Sequence, residues 1–347
     1  MEKRNKEITI SDVAEIAHVS KSTVSRYMNG SGYVSDETAL VIAKAMQMCD
    51  YRPNPYARSL RTNRSNVIFV VVPDIANPFY AKIVRNVQML AKDGNFMVML
   101  YNTNEEIGET IHAIRAAQEI QVACLFLWSI HTKNKELVEA LERANIMVVL
   151  ANYYEGAPFD LVHANKNQST YLTTNHLIGL GHRHIAFVGG PTESSVSIGR
   201  KHGYMLALQE HGIEFNEDNC FEMGFSKVAG YKFGCYYLAL DHRPTAVCCA
   251  NDLIALGVMQ FFREHGISIP NDVSITGIDN IDYNGIDSLK LTTVDLNVEE
   301  TTQQMMNLFL SRYSGAYRDE PREVRIDRHI VIGNSTAPVP KQTEADK

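Results

Sequence analysis

Residues 11–29 read SDVAEIAHVSKSTVSRYMN, and this stretch predicts two short helices joined by a tight turn. Thr9 is suited to cap the first helix. Ser20 is suited to cap the second, which ends near Asn29-Gly30. A third helix, DETALVIAKAMQMC, follows Ser35 and carries its own apolar stripe. Because so short a segment offers only a small core, we expect the three helices to pack as one unit.

The second helix has the composition of a DNA-reading helix. A supporting helix, a turn and a second helix that starts Ser-Lys-Ser-Thr is the arrangement that places N-terminal side chains against base edges in the major groove. Lys21, Ser22 and Arg26 share one exposed side, whereas Val24 turns inward. These three exposed residues are therefore the candidate base readers.

Charge is distributed unevenly along the chain. The 347 residues carry a net charge of −7, but residues 1–64 alone carry +3 and the remainder −10. A basic head on an acidic body favours a polyanionic partner for the head. The chain has no long apolar run, and its start lacks the apolar stretch of a secretory signal. We expect a cytoplasmic, nucleoid-associated protein without a membrane partner.

The sequence offers no metal or cofactor motif. Its six cysteines lie in apolar runs without CxxC spacing, which predicts small buried hydrophobic residues and no metal site. The motifs GxSxG, GxGxxG and GxxxxGK[ST] are also missing, and the acids lack a partner nucleophile or histidine at a readable spacing. We therefore predict no cofactor and no enzymatic activity.

From residue 66 onward, apolar strand-like runs alternate with helical stretches. VIFVVVP, HIAFVGG, TAVCCAND and VSITGID are examples of the eight runs. This alternation predicts parallel sheets of βαβ units, and the number of strands favours two α/β lobes over one sheet. We expect FMVMLYN to be one of the buried strands, and EETTQQMMNLFLSRY fits either a dimer face or a core helix.

Ligands of open α/β sheets bind beyond the carboxyl ends of the strands. Polar and aromatic residues follow the predicted strands there, and together they fit a hydroxyl-rich ligand, with Arg and Asp for polar edges and rings for the apolar face. We interpret Asp252 as the cap of the helix that it begins. The candidate effector-binding residues are Phe79, Tyr80, Asn152, Ser194, Ser195, Arg200, Phe225, Asn251 and Asp279.

The run TISDVAEIAHVSKSTVSRYMNGSGYVSDETALVIAKAMQMCDYRPNPYARSLR resembles the head of the lactose/purine/galactose-repressor (LacI/GalR) family, and NPFY, GHRHIAFVGGP, SIPNDVSITGIDN and LTTVDL extend the resemblance along the chain. It implies a helix-turn-helix head of three helices and a bilobal, periplasmic-binding-protein-like α/β body. The boundaries expected are 1–53 for the head, 54–65 for a hinge, 66–340 for the body (lobe one about 66–165 and 296–322, lobe two about 166–293 and 324–340) and 341–347 for a tail.

The resemblance also implies roles on DNA. Lys21, Ser22 and Arg26 are implied to contact bases. Leu60 is implied to insert into the minor groove as a wedge, with Arg58 and Arg61 beside it. Phosphate contacts are assigned to Thr9, Ser20, Ser25, Asn29, Tyr33, Ser35 and Thr38.

A member of this family is expected to be a homodimeric transcription repressor that binds a pseudo-palindromic operator and is controlled by a small-molecule effector, here a sugar or sugar derivative. Two departures weaken the sugar assignment, because Ala151-Asn152 and Ala164-Asn165 stand where sugar-binding members often have aspartates. A phosphocarrier-type protein co-repressor that docks on the body surface stays open as an alternative, as does another small molecule. Whether the ligand releases or strengthens DNA binding is also left open.

Overall fold

The computed structural model describes residues 8–29, 32–51, 65–128, 134–151, 156, 158–165, 167–282, 289–318 and 320–339. The chain divides into two units, residues 1–65 and residues 66–347. We call the first the head and the second the body, and each is described on its own. Among the described residues, no helix has the length and apolar character needed to cross a membrane.

The described part of the head is a small helical unit of α1 (Ile10–Ile16), α2 (Lys21–Asn29) and α3 (Asp36–Met48). The carboxylate of Asp12 accepts the backbone N–H and the hydroxyl of Thr9 at 2.7 Å each. The hydroxyls of Ser20 and Ser35 each accept the backbone N–H three residues later, as N-caps do. The buried core of the head consists of Val13, Ala14, Ala17, Val24, Ile42 and Ala45.

Lobe one of the body is built on a six-stranded parallel sheet with strand order β11-β5-β4-β3-β1-β2. Helices α4 and α11 cover one face of this sheet through residues such as Ile83 and Phe309, and α5 and α6 cover the other through residues such as Ile114 and Leu137. The strands are β1 (Val67–Val72), β2 (Met97–Asn102), β3 (Cys124–Leu127), β4 (Val148–Leu150), β5 (Asp160–His163) and β11 (Glu323–Arg325). The helices are α4 (Pro78–Asp93), α5 (Ile107–Glu119), α6 (Lys135–Arg143) and α11 (Val298–Tyr313).

Lobe two contains a four-stranded parallel sheet with strand order β7-β6-β8-β9. Its core is one apolar cluster to which all four helices of the lobe contribute, and α7 packs on α8 as α9 packs on α10. The strands are β6 (Ile185–Gly189), β7 (Cys220–Glu222), β8 (Ala246–Cys249) and β9 (Ser274–Thr276). The helices are α7 (Gln168–Gly179), α8 (Ser195–Glu210), α9 (Lys227–Ala239) and α10 (Asp252–Glu264).

A separate antiparallel ribbon of β10 (Thr293–Asp295) and β12 (His329–Val331) accompanies the crossings between the lobes. Strand β11 pairs with β5 of lobe one, so the chain leaves lobe one a few residues later than the expected boundary at 322–324. The reason is the buried carboxylate of Asp160, which accepts hydrogen bonds from Arg312 and Arg322 at 2.7–2.8 Å and thereby fixes this segment to the lobe-one sheet.

Three expectations about burial need correction or resolution. Strand β2 is an edge strand, and Met97, Met99 and Leu100 on it are exposed, because the sheet ends there. Cys235 is exposed and Cys49 and Cys220 are half-buried, so only three of the six cysteines are buried in the way expected. The apolar residues of α11 belong to the core of lobe one, which removes them from the candidate dimer face: Met305, Met306, Leu308 and Phe309.

Candidate functional site

In the head, α2 presents its polar side outward. Lys21, Ser22 and Arg26 are exposed, whereas Val24 is completely buried in the core of the head. The hydroxyl of Ser20 lies 2.7 Å from that of Ser22, which orders the start of the helix. The three candidate base readers therefore share one accessible surface of a single helix.

The candidate phosphate contacts surround the helix starts. Thr9 and Ser20 are exposed, Ser25, Ser35 and Thr38 are half-buried, and Tyr33 is 87% exposed. Polar groups at helix N-termini are well placed to meet phosphates. The side chain of Asn29 and the whole of Arg58, Leu60 and Arg61 lie outside the residues that the structure describes.

In the body, one cavity of about 140 Å³ collects residues from both lobes. Eight of the nine candidate effector residues line it, and the ninth, Asn152, lies outside the described residues. The eight follow the carboxyl ends of strands, as Asp279 follows β9, or lie in the first turns of the next helix, as Phe79 does in α4 and Arg200 in α8. They are Phe79, Tyr80, Ser194, Ser195, Arg200, Phe225, Asn251 and Asp279.

Arg200 and Asp279 form a buried ion pair in the lining of the cavity. The Nη2 of Arg200 lies 3.4 Å from Oδ1 of Asp279, and its Nη1 donates to the carbonyl of Ala250 at 2.6 Å. Burial raises the pKa of the Asp279 carboxyl to about 6, although Arg200 and Arg328 oppose the rise. Asp279 is therefore ionised at neutral pH and can accept hydrogen bonds from hydroxyl groups.

The backbone of Asp279 is strained. Its φ of 116° lies in a region that residues with a side chain rarely adopt, which costs on the order of 1–3 kcal/mol. The backbone N–H of Asp279 donates to the carbonyl of Val294 at 2.9 Å, and this bond to the inter-lobe segment holds the carboxylate in place. Strain of this kind clusters at ligand-binding sites.

Aromatic rings supply the apolar walls. Phe79 and Tyr80 lie edge to face with centroids 5.0 Å apart, and the guanidinium carbon of Arg200 lies 5.6 Å from the centroid of the Phe225 ring. Gly190 makes room for that ring, since a Cβ on Gly190 would lie 2.3 Å from its Cζ. Burial raises the pKa of Tyr80, and the nearby Asp279 adds to the rise, so the hydroxyl stays protonated and available as a donor.

Asn251 lines the cavity as expected and has a second role, whereas Asp252 has a role different from the one expected. Asn251 caps α10, because its Oδ1 accepts the N–H of Ile254 at 2.9 Å, and it also lines the cavity. Asp252 is not the cap. It is completely buried, and its oxygens accept the Thr293 hydroxyl at 2.6 Å and the Ile281 N–H at 3.0 Å. Burial raises its pKa, and the neighbouring Asp279 contributes to the rise.

Sequence reasoning missed several cavity residues: Asp74, Glu105, Trp128, His163 and Arg328. Trp128 follows β3 directly and Asp74 lies two residues after β1, so both could have been found from the strand-end rule, which states that ligands bind beyond the carboxyl ends of strands. Arg328 carried no such signal, because it lies on the short crossing between β11 and β12. Its position in the cavity depends on the tertiary arrangement of the two lobes.

A helical head with an exposed reading helix, followed by a two-lobed α/β body with a polar cavity, defines the class of ligand-binding DNA regulators. Residues 9–54 match the family model "Bacterial regulatory proteins, lacI family", and residues 174–336 match the periplasmic binding protein-like domain. The HTH-type transcriptional repressor PurR of Histophilus somni (strain 129Pt) is 32% identical over 313 residues, which cover 88% of this chain and 92% of that protein. The chain therefore belongs to the lacI family of bacterial regulatory proteins.

Further relatives and solved structures agree with this assignment. Catabolite control protein A of Priestia megaterium is 30% identical over 331 residues, which cover 95% of this chain and 99% of that protein. The Lac repressor dimer bound to operator and the anti-inducer ONPF has a TM-score of 0.84 at 25% identity, covering 96% of this chain and all of that one. A LacI family regulator from Enterococcus faecium with bound ribose has a TM-score of 0.68 at 30% identity, covering 79% of this chain and all of that one. The protein is a DNA-binding transcription repressor and not an enzyme.

Proposed function

We propose that the protein is a homodimeric, operator-specific repressor whose DNA affinity is set by a sugar-like ligand bound in the cavity between the lobes. The observation that carries this proposal is the pairing of Arg200 with Asp279 in a cavity that the aromatic residues Phe79, Tyr80 and Phe225 also line. Charged hydrogen-bonding groups suit the edge of a polyhydroxyl ring, and aromatic faces suit its apolar side.

The size of the cavity favours a single ring. A protein cavity of roughly 150 Å³ accommodates a molecule of the size of benzene, and the cavity here measures about 140 Å³. A ligand built on one ring is therefore the size that we propose. The ribose in the related Enterococcus faecium regulator is a ligand of this size.

On the DNA side, we propose that Lys21, Ser22 and Arg26 contact bases, which their shared exposed surface on α2 supports. The candidate phosphate contacts of the head fix its position on the duplex. We also propose that Leu60 is a minor-groove wedge flanked by Arg58 and Arg61. This assignment is based on the sequence alone.

A second copy of the chain is needed to read both halves of a pseudo-palindromic operator. With the apolar side of α11 buried in lobe one, the exposed Met89 of α4 and the exposed Met97, Met99 and Leu100 of β2 support an interface along this edge of lobe one. The Lac repressor to which this fold is similar is a dimer on its operator.

The proposal is tested with the Asp279→Ala variant of the full-length protein. Operator binding in the absence of ligand should be unchanged, whereas the response of operator binding to an active monosaccharide should be lost. Fluorescence anisotropy of a labelled operator measures both, after a thermal-shift screen of sugars, sugar phosphates and nucleobases has identified an active ligand. A normal ligand response in the variant would place the ligand outside the cavity.

A further inference from the structure

Two arginines, Arg200 and Arg328, line the cavity near the buried carboxylate of Asp279. Arg200 and Arg328 both act electrostatically on Asp279, which is the one carboxylate in direct contact with Arg200 among the described residues. The neighbouring Asp252 is committed to Thr293 and Ile281. Among the described residues, Asp279 contacts Arg200, whereas Arg328 contacts the hydroxyl of Ser169, and burying charge without full compensation is costly.

Arg328 is the less satisfied of the two arginines. It is half-buried, and its Nη1 donates to the hydroxyl of Ser169 at 2.6 Å. Its Nε is buried and has no hydrogen-bond partner within the described residues. A guanidinium has five N–H donors, and here a neutral hydroxyl is the acceptor that Arg328 reaches. Burial lowers its pKa to about 9, and repulsion from Arg200 contributes.

The surroundings of Arg328 also favour a negative charge. Ser169 lies in the first turn of α7, where the helix dipole is positive and disfavours a cation. The first turn of α8 reaches the same cavity, and Ser194 at its N-cap is 9% exposed with a hydroxyl that caps no backbone N–H. The N-terminus of α8 and the buried hydroxyl of Ser194 thus lie in the wall of the cavity that Arg200 and Arg328 also line.

Two further acidic residues of the cavity come from lobe one. Asp74 follows β1 and Glu105 follows β2, so both belong to the lobe-one wall. An anion there would be repelled. The same carboxylates are suitable acceptors for hydroxyl groups.

We infer that the ligand is a monosaccharide derivative with an anionic group, either a phosphate ester or a carboxylate, and that Arg328 binds this group beside the first turn of α7. Arg328 is then the residue that distinguishes the charged ligand from its neutral parent sugar. The inference rests on the proposed function in placing the ligand in this cavity.

The test uses the full-length protein and matched sets of compounds. Each set contains a neutral sugar, its phosphate ester and its sugar acid: ribose, ribose 5-phosphate and ribonate, and the corresponding compounds of glucose and galactose. Thermal shift screens the sets, and calorimetry measures the dissociation constants. We expect one anionic member to bind at least about tenfold more tightly than its neutral parent, since hydrogen bonds to charged groups are the stronger ones. Phosphate esters and acids are separate arms, so the result identifies which anion is bound.

Variants assign the effect to Arg328. Arg328→Gln should remove the preference for the anionic member, and Arg328→Lys should retain part of it. Arg263→Gln is the matched control, because Arg263 is an exposed arginine at the C-terminal end of α10, away from the cavity, and this variant should keep the full preference. Ligand-free operator binding shows that each variant is folded.

Two results would overturn the inference: a panel in which no anionic sugar binds more tightly than its neutral parent, or an unchanged preference in Arg328→Gln. A different result concerns the proposed function alone. If an anionic sugar binds through Arg328 but operator affinity does not respond to it, the anion subsite stands and the regulatory role of the cavity fails.

Discussion

Asp279 combines three properties at one position: it is 5% exposed, its backbone is strained and it is paired with an arginine. The strand-end rule found it from the sequence because an acid directly after a buried strand is conspicuous. Its strain and its raised pKa could not be predicted, since both depend on the inter-lobe segment that holds its backbone and on the groups that bury its carboxyl.

The raised pKa of Asp279 predicts how stability depends on pH. The carboxyl binds its proton with a pKa of about 6 in the folded protein and about 3.9 in the unfolded chain. Between these values the folded state holds more protons, so this group makes the protein less stable as pH rises from about 4 to about 6. Asp279→Asn should gain stability relative to wild type over that range, by up to about 3 kcal/mol.

Urea denaturation at a series of pH values measures this difference, and the fluorescence of Trp128, the single tryptophan, follows unfolding of the body. Asp74→Asn is a matched control, because Asp74 lies in the same cavity but is less buried. A pH-independent difference between wild type and Asp279→Asn would show that this carboxyl is not protonated preferentially in the folded state.

Arg26 offers the most direct test of the proposed base contacts. Arg26→Ala should lower the preference for one base at a half-site position by about 1–3 kcal/mol, because a bidentate arginine contact discriminates bases by that amount. Binding measured on operators substituted at each position gives this value. A loss that is equal on operator and on random DNA would instead assign Arg26 to a phosphate.

At the scale of elements, the long and strongly patterned segments were predictable. Helices α4, α8 and α10 and strands β1, β6 and β8 lie where apolar runs and helical periodicity placed them. Strands β5, β10, β11 and β12 are three or four residues long and contain only one or two apolar residues each, so no apolar run marked them in the sequence. The exposure of β2 could not be predicted from the sequence either, because an edge strand and a central strand can have the same apolar sequence.

The pairing of α9 with α10 depends on glycines and leads to a prediction. A Cβ on Gly230 would lie 1.9 Å from the carbonyl oxygen of Ile254 and would also press on its backbone carbons. Gly230→Ala should therefore destabilise the body by roughly 1–3 kcal/mol or more, since the neighbouring helix must shift. Denaturant unfolding followed by circular dichroism measures the loss.

Gly108 in α5 is the control for Gly230, because a Cβ there meets no atom within 4 Å among the described residues. Gly108→Ala should leave stability unchanged or raise it by up to about 1 kcal/mol, as expected for alanine in a helix. Equal effects of the two substitutions would contradict the close packing of α9 on α10.

At the scale of the whole body, both lobes and the crossing between them contribute residues to the cavity. Tyr80 comes from lobe one, Arg200 from lobe two and Arg328 from the crossing between β11 and β12. A ligand that contacts all three stabilises one arrangement of the lobes over others, and it shifts the population only by its difference in affinity for them. Sequence alone could place the residues of each lobe, but not the way in which the crossing adds to the site.

Coupling between the cavity and the operator must be reciprocal, and this gives the last prediction. If ligand changes operator affinity by a given factor, operator must change ligand affinity by the same factor, with about 5- to 150-fold as the usual range. Trp128 lies in the cavity wall, so its fluorescence should report ligand binding with and without a saturating operator duplex. Anisotropy of labelled operator with and without saturating ligand gives the second factor. Two unequal factors would show that the ligand acts at a site other than the one that Trp128 reports.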